Sequence, residues 1–241
     1  MESSAWRAAA LATVALWMAV EIRRRTRRHT PPLPPRPLPA ARRAAAHLQL
    51  IGRTPLVHLR ALSAATRCTV LAKAEFLNPG GSSKDRVAAA IVEQAVAEGK
   101  LGPGGTIVEA TAGSTGVSLA LVARAYGYRC HLVATDDISP QKQELIRALG
   151  AELELVKPAS IADPSHPVNL ARRRAEALGA GSIFANQYEA GATIKAHEET
   201  TAEEIWEQTG GTVDACVTGA GTGGTIAGVS RLLERRKPGV Q

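Results

Sequence analysis

Asn78-Pro79-Gly80-Gly81-Ser82-Ser83-Lys84-Asp85-Arg86 puts a lysine where a glycine-rich turn runs into an amphipathic helix. Gly80 and Gly81 allow a tight bend and close backbone approach. Ser82 or Ser83 is placed to cap the helix. A lysine held there can form a Schiff base with an aldehyde once its ammonium is deprotonated. Taken alone, the motif reads as a surface lysine in a first helical turn. Two further loops change that reading. Glu109-Ala110-Thr111-Ala112-Gly113-Ser114-Thr115-Gly116 follows a short apolar run and opens another helix. The free N–H groups of such a terminus suit a carboxylate. Gly219-Ala220-Gly221-Thr222-Gly223-Gly224-Thr225 follows a strand pattern and opens a third helix, where backbone N–H groups and the helix dipole make a phosphate cup.

The elements that must position these loops alternate along the chain. Strand patterns cover Thr69–Phe76, Thr106–Glu109, Arg129–Ala134, Glu152–Val156, Ser182–Ala185 and Val213–Thr218. Helix patterns cover Lys84–Glu98, Ser114–Ala125, Pro140–Leu149, Val168–Leu178, Ile194–Gln208 and Thr225–Arg235. Gly99, Gly127, Gly150 and Gly179 stand where helices should stop. This alternation predicts an α/β fold, a parallel sheet with helices on its faces and ligand loops at the carboxyl ends of the strands.

In that order the three loops resemble those of the fold-type II pyridoxal-phosphate enzymes, the cysteine synthase and cystathionine β-synthase group. The likeness runs from about His47 to Arg236 and includes the opening segment Ile51-Gly52-Arg53-Thr54-Pro55-Leu56-Val57. It also includes Asn186-Gln187-Tyr188 and the stretch His197-Glu198-Glu199-Thr200-Thr201-Ala202-Glu203-Glu204-Ile205-Trp206. Gly113-Ser114-Thr115-Gly116 and Glu204-Ile205-Trp206-Glu207-Gln208-Thr209-Gly210-Gly211 are most similar to a membrane-anchored branch of the group, the second cysteine synthases of fungal mitochondria.

The resemblance implies a two-domain, tryptophan synthase β-like fold. Residues 47–77 would begin the large cofactor domain, 78–188 form a small α/β domain, and 189–241 return to the large domain and carry the phosphate loop. It implies pyridoxal 5'-phosphate bound to Lys84 as a Schiff base, with Ser114 facing the ring and Gly221, Thr222, Gly223, Gly224 and Thr225 holding the phosphate. Thr111, Ala112, Gly113, Thr115 and Gln187 would hold the substrate carboxylate. Lys84, once freed, would remove the α-proton. The β-substituent would leave to give an aminoacrylate, and sulfide or a thiol would add. With O-acetylserine and sulfide the product is L-cysteine. A serine or threonine dehydratase and a cystathionine β-synthase-like lyase share the lysine and the phosphate loop. Ser114 stands where most of the family has Asn, and Ala190-Gly191-Ala192-Thr193 replaces an Asn-Pro-Ala-Asn pattern. The family continues well past the phosphate loop, into the residue that faces the pyridine nitrogen. This chain ends at Gln241, so the second domain is expected to be truncated here and the intact protein to be longer and homodimeric.

The net charge of +7 belongs to the head. Residues 1–43 hold nine arginines and two acids, and the remaining residues are balanced at twenty and twenty. A nucleic-acid binder carries its charge on the folded domain, so no nucleic-acid partner is expected. Ala8 to Val20 is thirteen residues without charge, and Arg23, Arg24, Arg25, Arg27 and Arg28 follow. Counted from Ala5 to Ile22, the stretch approaches the length of a single membrane span. Its positive C-terminal flank would leave the enzyme domain in the cytosol. We read residues 1–29 as a signal anchor, residues 5–22 crossing the mitochondrial outer membrane. The alternative is an Arg-rich transit peptide to the matrix or a plastid. Six prolines within Thr30–Pro39 make residues 30–46 an extended linker.

Cys68, Cys130 and Cys216 have no framework spacing, which fits a reducing compartment. The six histidines show no metal-ligand spacing, and no metal is expected. Two other classes stay open. Gly219-x-Gly221-x-x-Gly224 fits a dinucleotide fingerprint, without the acidic residue expected about 20 positions on. An anchored homologue without turnover is the other.

Overall fold

The computed structural model describes residues 46–189 and 191–240. The head read as an anchor, and its linker as far as residue 45, lie outside them. Four strands form a parallel sheet: β3 (Thr106–Ala110), β4 (Arg129–Thr135), β5 (Glu152–Val156) and β6 (Ile183–Phe184), in the order β5-β4-β3-β6. Before them, β1 (Leu56–His58) and β2 (Leu71–Lys73) pair antiparallel, with Val57 opposite Ala72. Helices α1 (Arg60–Thr66), α2 (Lys84–Ala97), α3 (Ser114–Tyr126), α4 (Pro140–Ala148) and α5 (Pro167–Leu178) connect the strands.

β3 is a run of five buried residues because it is central and covered on both faces. On one face Ile107, Cys130 and Leu132 pack with Val87 and Val92 of α2, Leu119 and Val122 of α3, and Ile146 of α4. On the other, Val108, Ala110 and Val133 meet Ala171 and Ala175 of α5. The register places Ile107 opposite both Cys130 and Ile183. That alignment gathers the turns after β3, β4 and β6 at one edge. Gly99, Gly127, Gly150 and Gly179 all take positive φ past helix ends, as their positions predict.

After β6 the regular elements among the described residues are helical: α6 (Gly191–Ala196), a π turn (His197–Ala202), α7 (Glu203–Gln208) and α8 (Gly224–Arg236). Ala202 and Ile205 pack with Val229, Leu232 and Leu233 of α8. Gly228 lets the two backbones meet, since a Cβ there would stand 2.5 Å from the Ile194 carbonyl oxygen. The π turn interrupts what the periodicity predicts as one helix over Ile194–Gln208; the wider turn carries an extra residue.

Two strand expectations change. Thr69–Phe76 shortens to Leu71–Lys73, and Glu75–Leu77 folds as a single 3₁₀ turn. Glu75 is drawn inward by Arg86, whose Nε and terminal nitrogen donate to its carboxylate at 2.8 and 2.7 Å. Val213–Thr218 is not a strand, and Val217 is 96% exposed. An apolar run becomes a strand when a neighbour completes its ladder, and among the described residues no strand lies beside this one.

Candidate active site

The turn before α2 is built by its own side chains. Asn78 accepts from the Gly52 N–H at 2.8 Å and donates to the Glu75 carbonyl at 2.9 Å. A Cβ on Gly80 would lie 2.3 Å from an Asp85 oxygen, so glycine is needed where the Gly80 N–H donates to Asp85. Ser82 Oγ accepts the Lys84 N–H at 3.2 Å, whereas Ser83 makes no side-chain cap. The first turn then sends three side chains three ways. Lys84 faces a cleft. Asp85 is buried under Ser118, which donates to it, and burial pushes its carboxyl up. Arg86 lies inside, paired with Glu75 and with Glu204 at 2.6 Å. Burial opposes the charge on Glu75, yet the Arg86 guanidinium wins and holds that carboxyl down to about 2. Glu204 also takes Lys73 at 2.6 Å, so the cluster joins β2, α2 and α7.

The cleft measures about 440 Å3 and brings together Lys84, the Thr111–Thr115 loop, Gln187, Gly221 and Thr222. Thr111 closes its own loop by accepting the Gly113 N–H at 3.1 Å, and Ser114 opens α3 with its side chain exposed at the cleft. The buried Thr115 hydroxyl donates to Gln187 Oε1 at 2.6 Å. That leaves the Gln187 amide N–H₂ to donate. Of the predicted phosphate-loop residues, Gly221 and Thr222 line the cleft, and Gly223 takes φ 77° just ahead of α8. Gly224 and Thr225 start the helix behind it. Gly224 is buried against Thr193, and the Thr225 hydroxyl meets His197 Nε2 at 3.2 Å. His197 is buried, and burial, with Arg86 second, pushes it down to about 4, so it is neutral.

Three groups at the site have no role in the motif reading. His166 lines the cleft at the start of α5, where its Nδ1 accepts the Val168 N–H at 3.2 Å. That bond leaves the ring proton on Nε2. Tyr188 lines the cleft as well. Glu109 lies beneath the site, 1% exposed, and burial pushes its carboxyl up to about 7. A lone acid inside the apolar run Thr106–Ala112 was the available signal for it. Among the described residues no acid, histidine and cysteine cluster could hold a metal.

Comparison with known proteins shows the family of the chain. The profile of the family described as "Pyridoxal-phosphate dependent enzyme" matches residues 47–241. Cysteine synthase 2 of Neurospora crassa is 53% identical over 196 residues, which is 78% of this chain and 43% of that protein. Cysteine synthase 2 of Schizosaccharomyces pombe is 45% identical over 199 residues, 79% of this chain and 50% of the relative. Among solved structures, O-ureido-L-serine synthase superposes with a TM-score of 0.74 at 40% identity, over 85% of this chain and 62% of that one. The chain thus spans about half the length of the curated relatives it matches. With a family profile covering all three loops, and Lys84, Gln187 and Gly221 meeting in one cleft, the chain belongs to the pyridoxal-phosphate dependent enzyme family.

Proposed function

We propose that this chain carries the cofactor and carboxylate sites of a β-replacement enzyme that makes L-cysteine from O-acetylserine and sulfide. The observation that supports it is the meeting of an amine, a carboxylate-type loop and a phosphate-type loop in one cleft. The residues fit pyridoxal phosphate. Lys84 offers an amine to an aldehyde, Gly221 and Thr222 precede a thirteen-residue helix whose N-terminus suits a dianion, and the volume is that of a small-molecule site.

Bound pyridoxal phosphate would supply the aldehyde for Lys84 and a ring that accepts the electron pair released at the substrate α-carbon. The chain's own residues do the rest. The Thr111–Thr115 N–H groups and the Gln187 amide hold the substrate carboxylate and so orient the Cα–H bond. The Lys84 amine takes the α-proton. The Ser114 hydroxyl, short and exposed, offers one hydrogen bond where most of the family has an amide. Gly221 to Thr225 hold the phosphate by main-chain N–H groups.

The test is a titration of the purified chain with pyridoxal phosphate, read by visible absorption. O-acetylserine follows, then sulfide, with cysteine measured. A band that shifts with O-acetylserine, and cysteine that forms with sulfide, are the expected results. Pyruvate formed without sulfide would replace this reading with a dehydratase. No band would overturn it.

The reading extends to the rest of the protein. Residues 78–188 act as the small domain, 47–77 and 189–241 as parts of the large one, and the full-length enzyme pairs as a homodimer of the second cysteine synthase branch. The uncharged stretch 8–20 and the arginines after it support an anchor at residues 5–22 in the mitochondrial outer membrane. Among the described residues no helix is long and apolar enough to cross a membrane; the anchor lies outside them.

A further inference from the structure

Glu109 has no part in the chemistry above, yet it is the most deeply buried acid near the cleft apart from Asp85. It sits in β3 opposite Leu132, facing the core between the sheet and α2 and α3. Among the described residues no lysine or arginine pairs with it. One carboxylate oxygen accepts the Ala110 N–H at 2.9 Å, the other accepts the Gln187 N–H at 3.1 Å, and the Asn186 N–H also bonds to it. Successive N–H groups around an anion form a nest.

The chain around the nest is shaped to make it. β6 is tied to β3 up to Ala185, whose N–H donates to the Val108 carbonyl at 2.8 Å. The ladder then ends, and Asn186 turns into the left-handed region at φ 47°. Asparagine tolerates that conformation better than other non-glycine residues, and here its side chain donates to Glu189 at 2.6 Å. The Asn186 turn directs the Gln187 N–H at Glu109 and the Gln187 side chain at Thr115. On the other side, the Thr193 hydroxyl donates to the Gln187 carbonyl at 3.1 Å. Gln187 is therefore held at its N–H by Glu109, at its C=O by Thr193 and at its side chain by Thr115.

We infer that Glu109 is a positioning residue for the substrate carboxylate: its two side-chain oxygens, accepting from the Ala110 and Gln187 N–H groups, hold the Asn186–Gln187 turn that aims the Gln187 amide into the cleft. It touches neither substrate nor cofactor and acts through Gln187. This rests on the reading of the cleft given above, but the geometry it asserts is a property of the chain alone.

Glu109→Gln keeps the volume and one acceptor oxygen, and sets an N–H₂ against a main-chain N–H on the other side. Two measurements test the inference. The first is amide hydrogen exchange at Gln187 in the unliganded chain. In the wild type this amide should be protected like those of β3, and in Glu109→Gln it should exchange at least tenfold faster. An unprotected wild-type amide overturns the inference whether or not the variant folds. So does an unchanged rate in a folded variant. The second is binding to the cofactor-loaded chain, read by absorption, of L-serine and of L-serinamide, which lacks the carboxylate. L-serine should bind at least tenfold more weakly to the variant, and L-serinamide equally well. An equal loss for both marks general loosening and overturns the inference. A wild-type chain that takes up no cofactor counts against the proposed function, and the exchange measurement then decides this point alone.

Discussion

Thr115 and Gln187, 72 positions apart, share a buried hydrogen bond of 2.6 Å between hydroxyl and side-chain carbonyl. The bond joins the first turn of α3 to the turn after β6 and sets the amide of Gln187 one way round. Thr115→Val keeps the shape and removes the donor. The unpaired carbonyl costs about 1–3 kcal/mol, and the amide is free to flip. A rise of about tenfold in KM for the amino acid, with kcat little changed, is expected from steady-state kinetics. Equal KM values would show that the orientation of Gln187 does not matter to binding.

Lys84→Ala should remove the visible band of lysine-bound cofactor and the borohydride-stable label on the peptide that carries residue 84. Losing a positioned base lowers kcat by roughly 10²–10⁴-fold. Mass spectrometry after reduction checks the position. A label on Lys73 instead would move the site, although Lys73 is tied to Glu204 and its amine is held inside.

Arg86→Met would leave Glu75 and Glu204 facing each other with little water. Breaking a buried ion pair from one side costs about 3–5 kcal/mol, and denaturant unfolding should show a loss of that order. Loss of the charge on Glu75 gives the acid counterpart. Its carboxyl ionises near 2 in the fold and near 4.5 in the unfolded chain, so its contribution is present above pH 4.5 and disappears as pH falls toward 2.

Between pH 7 and pH 4 two buried groups act in opposite directions. His197 protonates near 6.5 when unfolded and near 4 when folded, so stability is lost as pH falls through that window. Glu109 protonates near 4.5 when unfolded and near 7 when folded, so stability is gained as pH falls from 7 to 4.5. Each effect reaches about 3 kcal/mol, and together they should leave wild-type stability nearly flat from pH 6.5 to 4.5. His197→Asn should become more stable on acidification across that range and Glu109→Gln less stable. Parallel slopes in the two variants would reject the assignment.

Gly228→Ala places a Cβ 2.5 Å from the Ile194 carbonyl oxygen and 2.7 Å from the Glu198 nitrogen. Overpacking costs about 1–3 kcal/mol, and displacement of α8 should also weaken cofactor binding. Gly191→Ala, which meets open space, is the control and should change neither. Calorimetry and cofactor titration read both effects.

The parallel sheet was legible because each of its short strands follows a helix ended by glycine; the predicted β5, Glu152–Val156, is the observed one. The start of α2 at Lys84 and of α3 at Ser114 followed from turn chemistry just before each helix. What stayed hidden depends on distant partners. Glu75 looked like a strand residue until Arg86, eleven positions on, drew it inward. Val213–Thr218 has a strand's composition, but a ladder needs a neighbour. His166 reads as an ordinary loop histidine, and only the fold of β4 and β5 carries the start of α5 to the cleft. Asn186 is a residue type that tolerates the left-handed region, and its side chain donates to Glu189 at 2.6 Å; what its sequence does not show is that Glu109, 77 positions earlier, accepts from the same turn.

Gly224 and Gly228 stand one helical turn apart where α8 lies on α6 and the π turn, and neither has room for a methyl group. A saturation screen for lost activity would therefore score both beside Lys84. On a map of sensitive positions they would look like a second pocket beyond Gly221 and Thr222. They would be reporting a fulcrum instead. Suppressor substitutions for Gly224 should then fall on Thr193, whose methyl group stands 2.4 Å from the added Cβ, whereas Gly228 meets the main chain of Ile194 and Glu198, which no smaller side chain relieves.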